Sequence, residues 1–270
     1  MTGAPDRELE VLLRIAAAVQ GVVRQGETSP HRGDVVAMGA DGSPTEQLDR
    51  VAEAQVLAVL KEEGLDWNLL SEEIGLVERG GSKLLVVDPI DGSHNALRNM
   101  PFATVSLALG RDTLGGIEKG VVRDLTNGIT YWAARGLGAF RDGRRIHTRA
   151  WDLRSELFFV NLGRHSTPNA VQLAEHGRRI RSLGCASLEI AFVAQGAADA
   201  YFFENDTLPR NLRVTDIAAA YRILLEAGGG MTDAAGRPVE GIPLDLAEHT
   251  SVFGFGDPRF AESRTAGKTA

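Results

Sequence analysis

Apolar residues recur along the chain in two rhythms. Between Asp6 and Val23, Leu9, Leu12, Leu13, Ala16, Ala17 and Val19 fall at helical spacing and predict an amphipathic helix. Residues 26–42 are polar and glycine-bearing, which predicts a loop. Ser43-Pro44-Thr45-Glu46 has the form of a capping box with proline at the first helical position. A second helix is therefore expected to about Glu63, with Leu48, Val51, Ala52, Val56 and Leu60 inward. Leu69 and Leu70 predict a short strand that runs into Ser71-Glu72-Glu73. Leu84, Leu85, Val86 and Val87 form an unbroken apolar run, as in a strand covered on both faces. Residues 104–109, 116–122 and 128–134 predict further strands, and 138–140 with Ile146 fit a hairpin around Asp142-Gly143.

Near residues 149–151 the rhythm changes. Strands are expected at 157–161, 180–183, 200–203, 231–232 and 251–254, and helices at 169–175 and 187–196. A third helix, at 216–227, is stopped by Gly228-Gly229-Gly230. Antiparallel signals followed by alternating ones predict an α/β chain of two units, an α+β unit at 1–150 and a layered α/β unit at 151–258. No low-complexity linker separates them, so they should pack closely, and the polar end 259–270 should fray.

Composition narrows the class. With 270 residues, 43% hydrophobic and 24% charged, the chain can build one large core or two small ones. The single Cys185 excludes a disulfide framework and fits a reducing, cytoplasmic setting. No run of 18 apolar residues is present, so no membrane span is expected, and acidic residues in 1–18 do not suit a signal peptide. A net charge of −7 argues against a general nucleic-acid binder, although local cations can still bring phosphates to an acidic protein. The six histidines contain no i,i+4 pair that would suggest zinc, and no P-loop motif occurs.

The chemistry gathers where the apolar run ends, at Asp88-Pro89-Ile90-Asp91-Gly92-Ser93. Pro89 must stop the strand, Gly92 allows a tight turn and close approach of a ligand, and Ser93 can cap a following helix. Two carboxylates beside a helix start would suit a metal ion holding a phosphate, although the same residues also make ordinary turns. The segment resembles the D-P-[IL]-D-G-[ST] signature of the inositol monophosphatase family, which includes fructose-1,6-bisphosphatase relatives. Asn95, two residues after Ser93, and Pro101-Phe102 extend the match. Glu72, sixteen residues before Asp88, falls where that family carries the first Glu of [GS]-E-E. Thr215-Asp216-Ile217-Ala218 resembles its W-D-x-A motif, with Thr215 in place of Trp, and Glu226-Ala227-Gly228-Gly229 matches the end of that helix. Thr45 with Asp49 resembles the family's Thr and following acid, and Gly184-Cys185-Ala186-Ser187-Leu188-Glu189 its sugar- or inositol-side segment.

The resemblance implies a five-layer αβαβα sandwich and a Mg²⁺-dependent phosphatase of small phosphorylated polyols or sugars. It implies that Glu72, Asp88 and the Ile90 carbonyl hold one ion, that Asp88, Asp91 and Asp216 hold a second, and that Glu72 with waters serves a weaker third. Glu72 and the Ser93 hydroxyl would orient the attacking water, with Thr45 and Asp49 facing the site, and Gly92 and Ser93 N–H groups would hold the phosphate. Asp91, Cys185 and Glu189 belong to the implied substrate side, with Glu189 either accepting substrate hydroxyls or lying as a plain helix residue. Arg210 and Arg213 either bind a second phosphate or form a solvated basic loop. Lithium inhibition and a homodimer follow from the resemblance alone. The alternatives are a phosphatase of 3′-phosphoadenosine 5′-phosphate or NADP and, from another class, a regulatory binding protein that retains the fold.

Overall fold

The structure is a computed structural model, described here for residues 6–26, 29–40, 42 and 44–265. Its helices are α1 (Arg7–Gly26), α2 (Gln47–Glu62), α3 (Ser93–Leu97), α4 (Pro168–Glu175), α5 (Ala186–Ala194), α6 (Val214–Glu226) and α7 (Pro258–Thr265). The larger sheet has eight strands, in the spatial order Arg144–Ile146, Gly138–Arg141, Thr130–Ala134, Lys119–Asp124, Thr104–Gly110, Leu84–Asp91, Asn68–Ser71 and Gly75–Val77. Its neighbours are antiparallel except Asn68–Ser71 and Leu84–Asp91, which run parallel. The smaller sheet has five strands, in the order Ile180–Arg181, Phe158–Val160, Ala200–Phe203, Val252–Phe255 and Gly230–Thr232.

The strand period of two decides the layers. Leu85 and Val87 enter a core with Leu12, Ile15 and Val19 of α1 and Ala52, Val56 and Leu60 of α2. Val86, between them, enters a second core with Ile190 of α5, Ala219 of α6 and Phe159 and Tyr201 of the smaller sheet. The opposite face of that sheet, with Phe158, Phe202 and Phe253, packs on Ala170 of α4 and Phe260 of α7. The order is therefore α1/α2, large sheet, α5/α6, small sheet, α4/α7, the αβαβα sandwich expected. The second core is continuous across residues 149–151, so the two halves share one interior. α6 lies in the middle layer and is buried on most of its surface. Its backbone approaches the large sheet at Gly120, where a Cβ would stand 2.4 Å from the Ala219 carbonyl oxygen.

Some local expectations fail. Pro44–Glu46 is a strand paired with Val35–Met38, inside the stretch expected to be a loop, and α2 begins only at Gln47. Thr45 gives its hydroxyl proton to Glu73 instead of capping a helix. The first α2 amides are satisfied by loop carbonyls, Gln47 N–H by Asp34 and Leu48 N–H by Arg32, so no capping box is needed. Ser43 lies outside the described residues. Val51 faces outward, at 36% exposure. Ser93 is the first helical residue of α3, and Gly92 is its N-cap. The expected frayed tail is helical through Thr265, because Phe260 is fully buried among aromatic rings; residues 266–270 lie outside the described residues. No helix of the described residues is long and apolar enough to cross a membrane.

Candidate active site

Strand register explains why two acids far apart in sequence meet. Ser71 pairs in parallel with Val87, which sets Glu72, just past the end of its strand, beside Asp88, which still pairs with Ser106. The sixteen-residue spacing is the offset of that register. Pro89 does not stop the strand as expected but bulges it, and pairing resumes at Asp91 with Thr104. The first turn of α6 brings Asp216, and one carboxylate oxygen from each of Glu72, Asp88 and Asp216 lies within 4.8 Å of the others. Asp88 is buried and the other two are half-buried. Oδ2 of Asp216 also accepts the Arg213 N–H at 2.7 Å, so the same side chain closes the first turn of α6 and joins the acidic group. Burial, followed by the charges of Glu72, Asp91 and Asp216, pushes the Asp88 carboxyl well above the usual carboxylate range. Three carboxylates from three elements, one of them deeply buried, are a donor set that hard divalent cations prefer.

Asp91 stands outside that three-carboxylate group. Its Oδ1 accepts the Ala186 N–H at 3.2 Å, and its Oδ2 accepts the Ser187 N–H at 2.7 Å and the Ser187 hydroxyl at 2.6 Å. It therefore sits at the N-terminus of α5, where a negative charge meets free amides and the positive end of the helix dipole. Cys185, 1% exposed, donates its thiol to Asp91 at 3.3 Å. Burial still outweighs these hydrogen bonds and raises the Asp91 carboxyl. Between Asp91 and Ser93 the chain turns through Gly92 at φ 85°. A side chain there would place its Cβ 2.6 Å from the Phe102 carbonyl oxygen, so both conformation and space require glycine. Asn95 ties the turn to the opposite wall, donating to the Phe102 oxygen at 2.9 Å and the Leu183 oxygen at 2.8 Å. Ser93 is half-buried beside the turn, and Ile90 buries its side chain while its N–H donates to Asp88 at 3.0 Å.

Glu189 is 2% exposed and accepts the Leu183 N–H at 2.8 Å. Through that bond it holds the 183–185 segment against α5. Burial pushes its carboxyl up to about 8. Arg210 is exposed and paired with Asp206 at 3.0 Å, on a surface loop. Arg213 is the N-cap residue of α6.

A second layer of acid lies behind Glu72. Asp49 of α2 is 2% exposed, its Oδ1 has no hydrogen-bond partner, and burial with the charges of Glu46 and Glu73 raises it to about 8. Glu53, one turn further along α2, accepts the Ser71 hydroxyl, and burial raises it to about 7. Acids packed this densely are costly without a cation, so the residues present fit a metal centre. Among these α2 acids the sequence pattern singles out Asp49 and not Glu53. The i,i+4 spacing of Asp49 and Glu53 on one helix face is the signal that could have found the buried glutamate.

The inositol monophosphatase family matches residues 5–265. A Methanothermobacter thermautotrophicus protein named fructose-1,6-bisphosphatase/inositol-1-monophosphatase is 34% identical, over 92% of this chain and 91% of its own. A Methanococcus maripaludis bifunctional NADP phosphatase/NAD kinase is also 34% identical, over 91% of this chain but 46% of its own. Among solved structures, a Pyrococcus horikoshii protein described as similar to inositol-1 monophosphatase superposes with a TM-score of 0.81 at 26% identity, covering 94% of this chain and 95% of its own.

Proposed function

The chain belongs to the inositol monophosphatase family, and from that premise we propose that it is a Mg²⁺-dependent phosphatase of small phosphorylated polyols or sugars, with inositol-1-phosphate and fructose-1,6-bisphosphate as substrates. The observation that carries the reading is the convergence of Glu72, Asp88 and Asp216 beside the Asp91-Gly92-Ser93 turn. A phosphate monoester dianion repels an oxygen nucleophile, and bound Mg²⁺ supplies the charge neutralisation that lets water attack and the leaving oxygen depart. Glu72, Asp88 and the Ile90 carbonyl would hold one ion. Asp88, Asp91 and Asp216 would hold a second, and Glu72 would contribute to a weaker third. The Gly92 and Ser93 N–H groups would receive the phosphate, at the left-handed turn that opens α3. The Ser93 hydroxyl and Glu72 orient the attacking water, and Thr45 and Asp49 shape the acidic wall behind it. Of Arg210 and Arg213, it is Arg213, at the N-cap of α6, that we assign to a second phosphate.

A substrate panel tests this. Inositol-1-phosphate and fructose-1,6-bisphosphate should release phosphate with Mg²⁺, and neither should do so in EDTA. No Mg²⁺-dependent release from any phosphate ester would return the chain to the class of regulatory binders. The Methanococcus relative favours a second reading, NADP as substrate, which the same panel resolves. The reading extends to a cytoplasmic homodimer inhibited by lithium. A monomer by light scattering at micromolar concentration would refute the dimer.

A further inference from the structure

The turn that presents Glu72 is held from behind by a side chain of another element. Glu53 lies on α2, two turns inside the helix, and is 5% exposed. It accepts the hydroxyl proton of Ser71, which is itself fully buried. Ser71 Oγ in turn accepts the Glu73 N–H at 3.3 Å, and the Ile74 backbone N–H also meets the Glu53 carboxylate. One carboxylate thus braces both sides of Glu72, through Ser71 before it and through residues 73–74 after it. The turn lies between the paired ends of two strands, with Ser71 opposite Gly75 at φ 76°, and the Ala40 N–H donates to the Glu73 carbonyl at 2.9 Å. Thr45, on the strand Pro44–Glu46 that precedes α2, donates to the neighbouring Glu73 side chain, so the residues flanking Glu72 are held at two points, by that strand and by Glu53 of α2.

We infer that Glu53 is a positioning residue for Glu72, setting the angle at which that carboxylate enters the cation site. The inference rests on the metal-site reading above and adds to it a residue that touches neither metal nor substrate. A carboxylate whose backbone can swing loses affinity for a cation, because the ordering is then done on binding. Outer partners of metal ligands are typically worth about 10–100-fold in metal affinity.

The test is Mn²⁺ binding by calorimetry, with melting of the metal-free protein, on the full chain and on Glu53→Gln, Ser71→Ala and the double variant. Glu53→Gln removes the charge and keeps the volume, whereas Ser71→Ala breaks the brace and leaves every charge in place. Each single variant should weaken Mn²⁺ binding by about 10–100-fold, and the double variant no more than the weaker-binding single. Mn²⁺ affinity within twofold of the parent in a folded Glu53→Gln overturns the inference. So does weakening by Glu53→Gln alone, since the effect would then be one of charge rather than position. Binding is read without turnover, so failure of the phosphatase reading would show separately, as a parent that binds Mn²⁺ and releases no phosphate.

Discussion

At the scale of single residues, Asp91 has two partners to satisfy. In the sequence it is one of a pair of acids in a turn; in the fold it accepts three hydrogen bonds from the start of α5. Asp91→Asn is therefore not a silent change of charge. The new amide faces N–H donors, which should cost about 1–3 kcal/mol of stability, measurable by denaturant melting. Turnover should fall by roughly 10²–10³ if the carboxylate also holds the second cation. A folded Asp91→Asn protein with near-normal phosphate release would sink that assignment. Glu189 makes a prediction about pH. Its folded carboxyl keeps the proton to about 8, whereas the unfolded one releases it near 4.5. Folding then takes up a proton between those values, so stability falls as pH rises through that window and levels off above it. Asp49 and Glu53 are raised in the same direction. Metal-free protein should melt at higher temperature near pH 5 than near pH 8, and Glu189→Gln, which keeps an acceptor for Leu183, should flatten the dependence. An unchanged slope in Glu189→Gln would show that the burial of this acid does not govern it.

At the scale of elements, α7 shows how a polar terminal segment can be structural. Its sequence offers one large apolar residue, Phe260, among charged neighbours. That ring packs edge-on to Phe158 at 5.1 Å, Trp151 at 5.8 Å and Phe253 at 6.0 Å, and Arg264 reaches Glu156. Phe260→Ala should cost about 3–5 kcal/mol, because it opens a cavity in a packed aromatic group. A loss below ~1 kcal/mol in urea unfolding would mean that α7 is detached in solution. The strand Leu84–Asp91 illustrates the opposite case. Its apolar run required two covered faces, and the alternation of Leu85, Val86 and Val87 between two cores meets that requirement.

At the scale of the whole molecule, the acids that define the site come from α2, two strand ends and α6, and they converge where the halves of the chain share a core. Their mutual repulsion opposes folding, and a bound cation would relieve it. Mg²⁺ should therefore raise the melting temperature, with ligand stabilisation of about 2.7 kcal/mol at a concentration one hundred times the dissociation constant. EDTA should reverse the shift, and Glu72→Gln, which removes one negative charge from the group, should melt higher than the parent in EDTA and gain less from Mg²⁺. Identical melting with and without Mg²⁺ at millimolar concentration would argue that no cation binds here.

The amino-acid sequence alone determined the layer-forming elements, because a buried strand or an amphipathic helix writes its burial into the spacing of apolar residues. Through the family resemblance it also pointed to Glu72, Asp88 and Asp216, three acids that the fold brings within 4.8 Å of one another. The tertiary structure decided what no local pattern contains. Pro44–Glu46 became a strand because Val35–Met38 was there to pair with it and Glu73 took the Thr45 hydroxyl. The tail became a helix because an aromatic pocket waited for Phe260. Glu53 joined the wall behind the site because its partner, Ser71, lies on a strand eighteen residues away, and Glu189 became a buried brace because the fold covers the start of α5 and folds the loop at Leu183 back onto it. A hydrogen-bond partner brought in by the fold has no signature in the residues that flank the group it satisfies, so such roles are legible only once the layers are assembled.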